Sequence, residues 1–129
     1  MAEDEIDFVI KGEPASKANQ RRVVLVGKYP RVIKSKKAID YLKSFALQCP
    51  VLDDLMTDDV EMEGEIWFAS RRPDLDGAVS LIMDALQDRV IKNDRQIKVI
   101  KAYWNLDREN PRSRIRLRPL PVSNSTERS

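Results

Sequence analysis

The chain has 129 residues, 42% apolar and 34% charged, which is the size and balance of one domain with a modest core. With no histidine and a single cysteine, Cys49, it has no Ser-His-Asp or Cys-His catalysis, no His-containing zinc site, no intramolecular disulfide and no Cys-clustered metal; carboxylates, Lys/Arg, hydroxyls and amides remain. The net charge of +2 hides segregation: residues 11–50 carry ten Lys/Arg against two acids, and residues 51–65 carry seven acids and no base, which reads either as a basic face for a polyanion or as charge solvated on ordinary helix and hairpin faces.

The acidic start, Met-Ala-Glu-Asp-Glu, is not that of a secretory or mitochondrial signal, and no apolar run approaches the roughly 18 residues of a membrane helix. A lone cysteine fits a reducing cytoplasm. Residues 5–11 predict a first strand, with Ile6, Phe8 and Ile10 alternating. Residues 12–19 form a loop, and Arg21 to Val26 pairs with Arg31 to Ile33 around a Gly27–Pro30 turn. Ser35 is the N-cap of a helix that Pro50 stops, with Ala38, Leu42, Phe45 and Cys49 on its apolar face and Lys36, Lys37 and Lys43 solvated. An acidic connection, 53–59, expected to be exposed with the carboxylates that follow it, leads to a strand over Glu61–Ser70. There Met62, Gly64, Ile66 and Phe68 alternate with a wet face of Glu61, Glu63, Glu65 and Trp67. Gly77–Asp88 predicts a helix with Val79, Ile82, Met83 and Leu86 inward. Strands over 97–104 and 113–118 close the domain, and 119–129 is a Pro/Ser/Thr-rich tail expected to be disordered. The expected fold is one α/β (α+β) domain over 1–118: a mixed sheet of about five strands with two main helices.

Chemistry concentrates in Arg71-Arg72-Pro73-Asp74-Leu75-Asp76 and Asn93-Asp94-Arg95-Gln96. Asp74 and Asp76 are expected on one side of an extended segment before a helix. A strand–helix–strand unit would bring Asp94 towards them. Three such carboxylates without histidine suit a hard cation such as Mg²⁺, with Mn²⁺ as a substitute, and two such ions serve phosphodiester cleavage. Arg71, Arg72, Lys92, Arg95 and Lys98 would meet phosphates, as would Lys17, Arg21 and Arg22 on the loop and hairpin. The same residues also read as helix caps, turns and solvated charge.

Taken together, the motifs resemble the RusA family of Holliday junction resolvases, small endonucleases of phages and prophages. The matching elements are Arg72-x-Asp74-x-Asp76, Asp84-Ala85-Leu86, Asn93-Asp94-x-Gln96-Ile97, the opening Gly12-x-Pro14-x-Ser16-Lys17 with Arg21-Arg22, and the final Arg114-Ile-Arg-Leu. The resemblance implies that Asp74, Asp76 and Asp94 are catalytic and metal-binding, with Asp84 at a further acidic position. It also implies a Mg²⁺-dependent homodimer that nicks four-way DNA in recombination and repair, with no small-molecule cofactor and no membrane. Gly77, Ser80 and Asn93 stand where the family has Asn, Lys and Asp. Either another cation, such as Lys92 or Lys98, serves for the lysine, or cleavage is slow, or junction binding survives with little cleavage. A non-catalytic interaction module is the remaining alternative.

Overall fold

A computed structural model describes residues 5–16 and 19–121. The elements run β1 (Ile6–Lys11), β2 (Arg21–Val26), β3 (Tyr29–Lys34), α1 (Lys36–Gln48), β4 (Val60–Phe68), α2 (Leu75–Leu86), a one-turn 3₁₀ helix (Asp94–Gln96), β5 (Ile97–Leu106) and β6 (Arg112–Pro119). Four strands form one mixed sheet in the order β1-β6-β4-β5, and β2-β3 stands apart as a two-stranded ribbon. The α+β reading holds, with the hairpin outside the sheet rather than extending it.

The ladder explains the alternation. β4 buries Val60, Met62, Gly64, Ile66 and Phe68 and leaves the residues between them half-buried. Ile115 and Leu117 of β6 and Ile10 of β1 complete that face, against which Phe45 of α1 and Ile82 and Leu86 of α2 pack. Burying such side chains gains about 1.5–3 kcal/mol each. β4 and β5 run parallel from Val60↔Ile97 to Phe68↔Leu106, so α2 is the crossover between neighbouring strands.

The opposite sheet face absorbs the acidic strand. Glu61 lies opposite Arg118, Glu63 opposite Arg116 and Glu65 opposite Arg114. Arg118 bonds both Glu61 and Glu63, and Arg114 forks onto Asp7 at 2.8 and 3.1 Å. The Arg114 hydrogen bond holds the Asp7 carboxyl below its usual range. Glu61 and Glu63 are therefore half-buried ion-pair partners and Glu65 is half-buried opposite Arg114, not the exposed acids expected.

Other boundaries shift. The ribbon turns on two residues, Gly27 and Lys28, with Gly27 at φ +64°. Two-residue loops are the commonest hairpin connections, and a positive φ at the first position gives the primed turn that matches strand twist. β3 therefore starts at Tyr29, and Pro30 sits in a strand opposite Leu25, tolerable in a ribbon with free edges. α2 starts at Leu75, two residues early. Pro119 belongs to β6, and the Leu120 N–H donates to the Asp59 carbonyl at 2.8 Å; the remainder of the expected tail, 122–129, lies outside the described residues.

Candidate active site

The loop between β4 and α2 is pinned at both ends. The Ala69 N–H donates to Glu13 Oε1 at 2.6 Å, and Trp104 Nε1 donates to the Pro73 carbonyl at 3.0 Å. Trp104 itself stacks on Phe68, with centroids 5.5 Å apart. This fixes the start of α2 and the aspartates there. Asp74 occupies the N-cap position in extended conformation, yet its carboxylate makes no capping hydrogen bond. An aspartate kept for capping would accept one. Asp76 lies in the first helical turn, so the two carboxylates do not share the extended geometry expected of them.

Asp94 is held from below. Asn93 and Gln96 form a capping box around the 3₁₀ turn. Gln96 Nε2 donates to the carbonyls of Met56 and Asp58 at 2.7 and 2.9 Å, and Gln96 Oε1 accepts from the backbones of Lys92 and Asn93, both at 2.9 Å. Asn93 is therefore a cap, which explains an amide at that position. The Asp94 carboxylate is not needed for the turn and is exposed.

Two clefts meet at Asp94. One, of about 400 Å³, runs between α2 and β5 and is lined by Asp76, Ser80, Met83, Asp94 and Ile100. The other, of about 250 Å³, lies between α2 and the base of the ribbon, lined by Gln20, Arg21, Lys34, Ser80, Asp84 and Asp94. Ser80 and Asp94 line both. Asp84 accepts from Gln87 Nε2 at 3.4 Å and pairs with Lys34 Nζ at 3.2 Å. The crossover thus brings Asp76 and Asp94 to one cleft and Asp84 and Asp94 to its neighbour, while Asp74 lines neither. Asp76 and Asp84, eight residues apart, are about 12 Å apart along the helix axis. Among the described residues no group of three His, Cys, Asp or Glu could hold a metal ion. The donor chemistry still fits Mg²⁺, which takes oxygen ligands and commonly binds one or two carboxylates, with waters and substrate phosphates completing its shell.

The expected phosphate contacts separate by place. Arg21 lines the ribbon-side cleft, and Arg72 lines a further cleft of about 480 Å³ with Lys37. Arg22, Arg71, Lys92, Arg95 and Lys98 are exposed, and none of them lines any of these clefts. Neither Lys92 nor Lys98, the cations expected to stand in at position 80, lines the clefts that hold the carboxylates. Lys17 lies outside the described residues. Cys49 is buried, and burial pushes its thiol up to about 11, so it is no nucleophile near neutrality.

Three residues escaped the sequence reading. Lys34 enters the cleft because Arg21 and Lys34 are directly opposed in the ribbon. A two-residue turn at 27–28 would have given that register by counting outward. Gln20 staples the opening loop to α2, its Nε2 donating to the Ala15 and Gly77 carbonyls at 2.9 and 2.8 Å. Glu13 caps the end of β4. Both are long-range contacts with no local pattern.

No curated protein matches the chain. A family model described as endodeoxyribonuclease RusA matches residues 11–118, a span that takes in the opening loop, the ribbon, α2 and its aspartates, and the Asp94 turn. The chain belongs to the RusA family of endodeoxyribonucleases, Holliday junction resolvases acting on branched DNA.

Proposed function

We propose that the protein is a Mg²⁺-dependent endonuclease, with Mn²⁺ as an alternative, that resolves four-way DNA junctions by paired nicking as a homodimer. Its setting would be recombination and repair in the cytoplasm of a bacterium or a phage-infected host. The observation that carries this reading is the cleft in which Asp76 and Asp94 meet, in a chain of a DNA-cleaving family. Asp76 and Asp94 would hold the cation, with Asp74 at the helix start and Asp84 in the adjoining cleft as further oxygen donors. When bound, such a cation supplies positive charge to the phosphoryl oxygens and acidifies the attacking water. Hydrolysis joins a water oxygen to phosphorus and breaks one ester P–O bond; one water proton passes to solvent, and the leaving oxygen ends as a hydroxyl. Arg21, Arg22, Arg71, Arg72, Lys92, Arg95 and Lys98 would hold the backbone of the junction. Among the described residues none of these seven makes an ion pair, which leaves their charge for phosphate.

A homodimer suits two nicks in a two-fold junction. Its support is the ribbon, where Val23, Leu25 and Val32 are 66%, 72% and 63% exposed, an apolar surface of the kind that marks interaction sites. A second reading, junction binding with weak cleavage, is favoured by Ser80, because α2 carries no Lys or Arg at all.

A labelled four-way junction and a linear duplex of the same sequence, each with Mg²⁺ or Mn²⁺, test the proposal. Paired nicks in the junction alone are expected, lost in Asp74→Asn, Asp76→Asn and Asp94→Asn. Tight binding without nicks, with nicking gained in Ser80→Lys, would establish the second reading instead.

A further inference from the structure

We infer that Lys34 is the cation that serves the cleaved phosphate, delivered by the β2-β3 ribbon and not by the helix carrying the acids. The inference rests on the nuclease reading above and names a residue for it.

The cleft between α2 and the ribbon has an acidic wall and a basic wall. α2 contributes Asp84 and the neutral Ser80 and has no basic residue, and the turn before β5 contributes Asp94. Among the described residues, every positive charge lining this cleft comes from the base of the ribbon, from Arg21 and Lys34. The two are directly opposed in the antiparallel register, so their side chains leave the ribbon on one face. Lys34 Nζ lies 3.2 Å from Asp84 Oδ2, which places the ammonium in the cleft, two residues from the start of α1 at Lys36.

The base of the ribbon is fixed. The Ser35 N–H donates to the Gln20 carbonyl at 2.7 Å, and the Ser35 hydroxyl donates to the Asn19 carbonyl. Gln20 in turn holds Gly77, in the first turns of α2. Ribbon and helix are thus tied through one glutamine, and the position of Lys34 relative to Asp84 and Asp94 is built, not incidental. The Lys34–Asp84 pair is about 40% exposed on both sides, and pairs so wet add little to stability. The fold does not need Lys34 there. A phosphate entering between Ser80 and Asp94 meets a preplaced ammonium, and charge developing on its oxygens is stabilised without reorganisation. Lys34 makes no bond to the reacting atoms and exchanges no proton; its contribution is charge at fixed position.

The test is single-turnover cleavage of a four-way junction at saturating protein, beside junction affinity measured in Ca²⁺. Lys34→Met is expected to lower the cleavage rate about 100-fold, the scale of losing one charge-stabilising donor, while affinity changes only a few-fold. Lys34→Arg should keep a large share of the rate, and Ser80→Lys added to Lys34→Met should recover it from the opposite wall. Lys36→Met, two residues on and paired with Asp40, should cleave as the wild type does. A Lys34→Met protein with an unchanged thermal midpoint and the wild-type rate overturns the inference and leaves the nuclease reading intact. A wild-type protein that does not cleave overturns both.

Discussion

At the residue scale, polar groups in the core mark places where packing outranked hydrogen bonding. Ser113 is fully buried and Tyr41 is 6% exposed; their hydroxyls are neighbours, but neither makes a well-formed hydrogen bond among the described residues. Burial pushes the Tyr41 phenol far above its usual range. The Tyr41 ring lies 6.0 Å from Phe45, so the aromatic body is retained for area while the hydroxyl is carried as a cost. Removing a buried, unsatisfied hydroxyl without changing shape is close to neutral or favourable. Tyr41→Phe is therefore expected to raise unfolding free energy by up to about 1 kcal/mol, read from urea midpoints at constant slope. A loss of that size would show that the hydroxyl has a partner in solution. The same reasoning separates the aspartates. Asp74 at an N-cap it does not cap, and Asp94 in a turn that Asn93 holds, are carboxylates whose position the fold secures by other groups.

At the element scale, the 3₁₀ turn before β5 is held in place largely by one side chain. Gln96 donates to two carbonyls of the 51–59 connection and accepts two backbone N–H groups of its own turn. Replacing it with leucine strands those four groups. Gln96→Leu is expected to cost about 1–3 kcal/mol and to lower junction cleavage by more than it lowers junction affinity, since it loosens Asp94 and removes no charge. Calorimetry beside the two junction assays checks both halves; equal losses in rate and affinity would mean that the turn contacts DNA directly. Gln96 also shows what the sequence made legible. Strands β1, β4 and β6 and the inward face of α2 follow from period alone, because each has one buried face. The motif Asn93-Asp94-Arg95-Gln96 reads as a turn for good reason, but its amide reaches Met56 and Asp58 across the fold, and no local pattern encodes that. The ribbon fails differently. Alternation cannot fix its register, since β3 is exposed along its whole length, and only the turn length decides that Arg21 opposes Lys34. The helix start was legible further back than Gly77: Leu75, four residues before Val79, continues the repeat of Val79, Ile82, Met83 and Leu86 and packs against the core, and Asp76 is well suited to a first turn.

At the scale of the molecule, the segregated charge of the sequence resolves into two kinds of surface. The arginines of β6 are spent on the sheet's outer face: Arg114 and Arg116 on Asp7, Arg118 on Glu5, Glu61 and Glu63. Glu61 and Glu63 of β4 and the basic C-terminal strand thus offset each other across the sheet face. Among the described residues, the cations without an ion pair include Arg71 and Arg72 before α2 and Lys92 and Arg95 after it, beside others on the ribbon, α1 and β5. Phosphate neutralisation releases counterions, and log affinity falls with log salt by about 0.9 per contact on duplex DNA. Two contacts removed together should flatten that slope by close to 2. The double variant Arg71→Gln, Arg72→Gln is accordingly expected to bind a four-way junction more weakly at low salt and to lose about 2 from the salt slope. Arg114→Gln on the sheet face should leave slope and affinity alone and lower the thermal midpoint, because its charge belongs to Asp7. Affinity titrations across a series of salt concentrations separate the two surfaces: a flattened slope for Arg114→Gln would place DNA on the sheet face and move the bound junction away from the clefts that hold Asp76, Asp84 and Asp94.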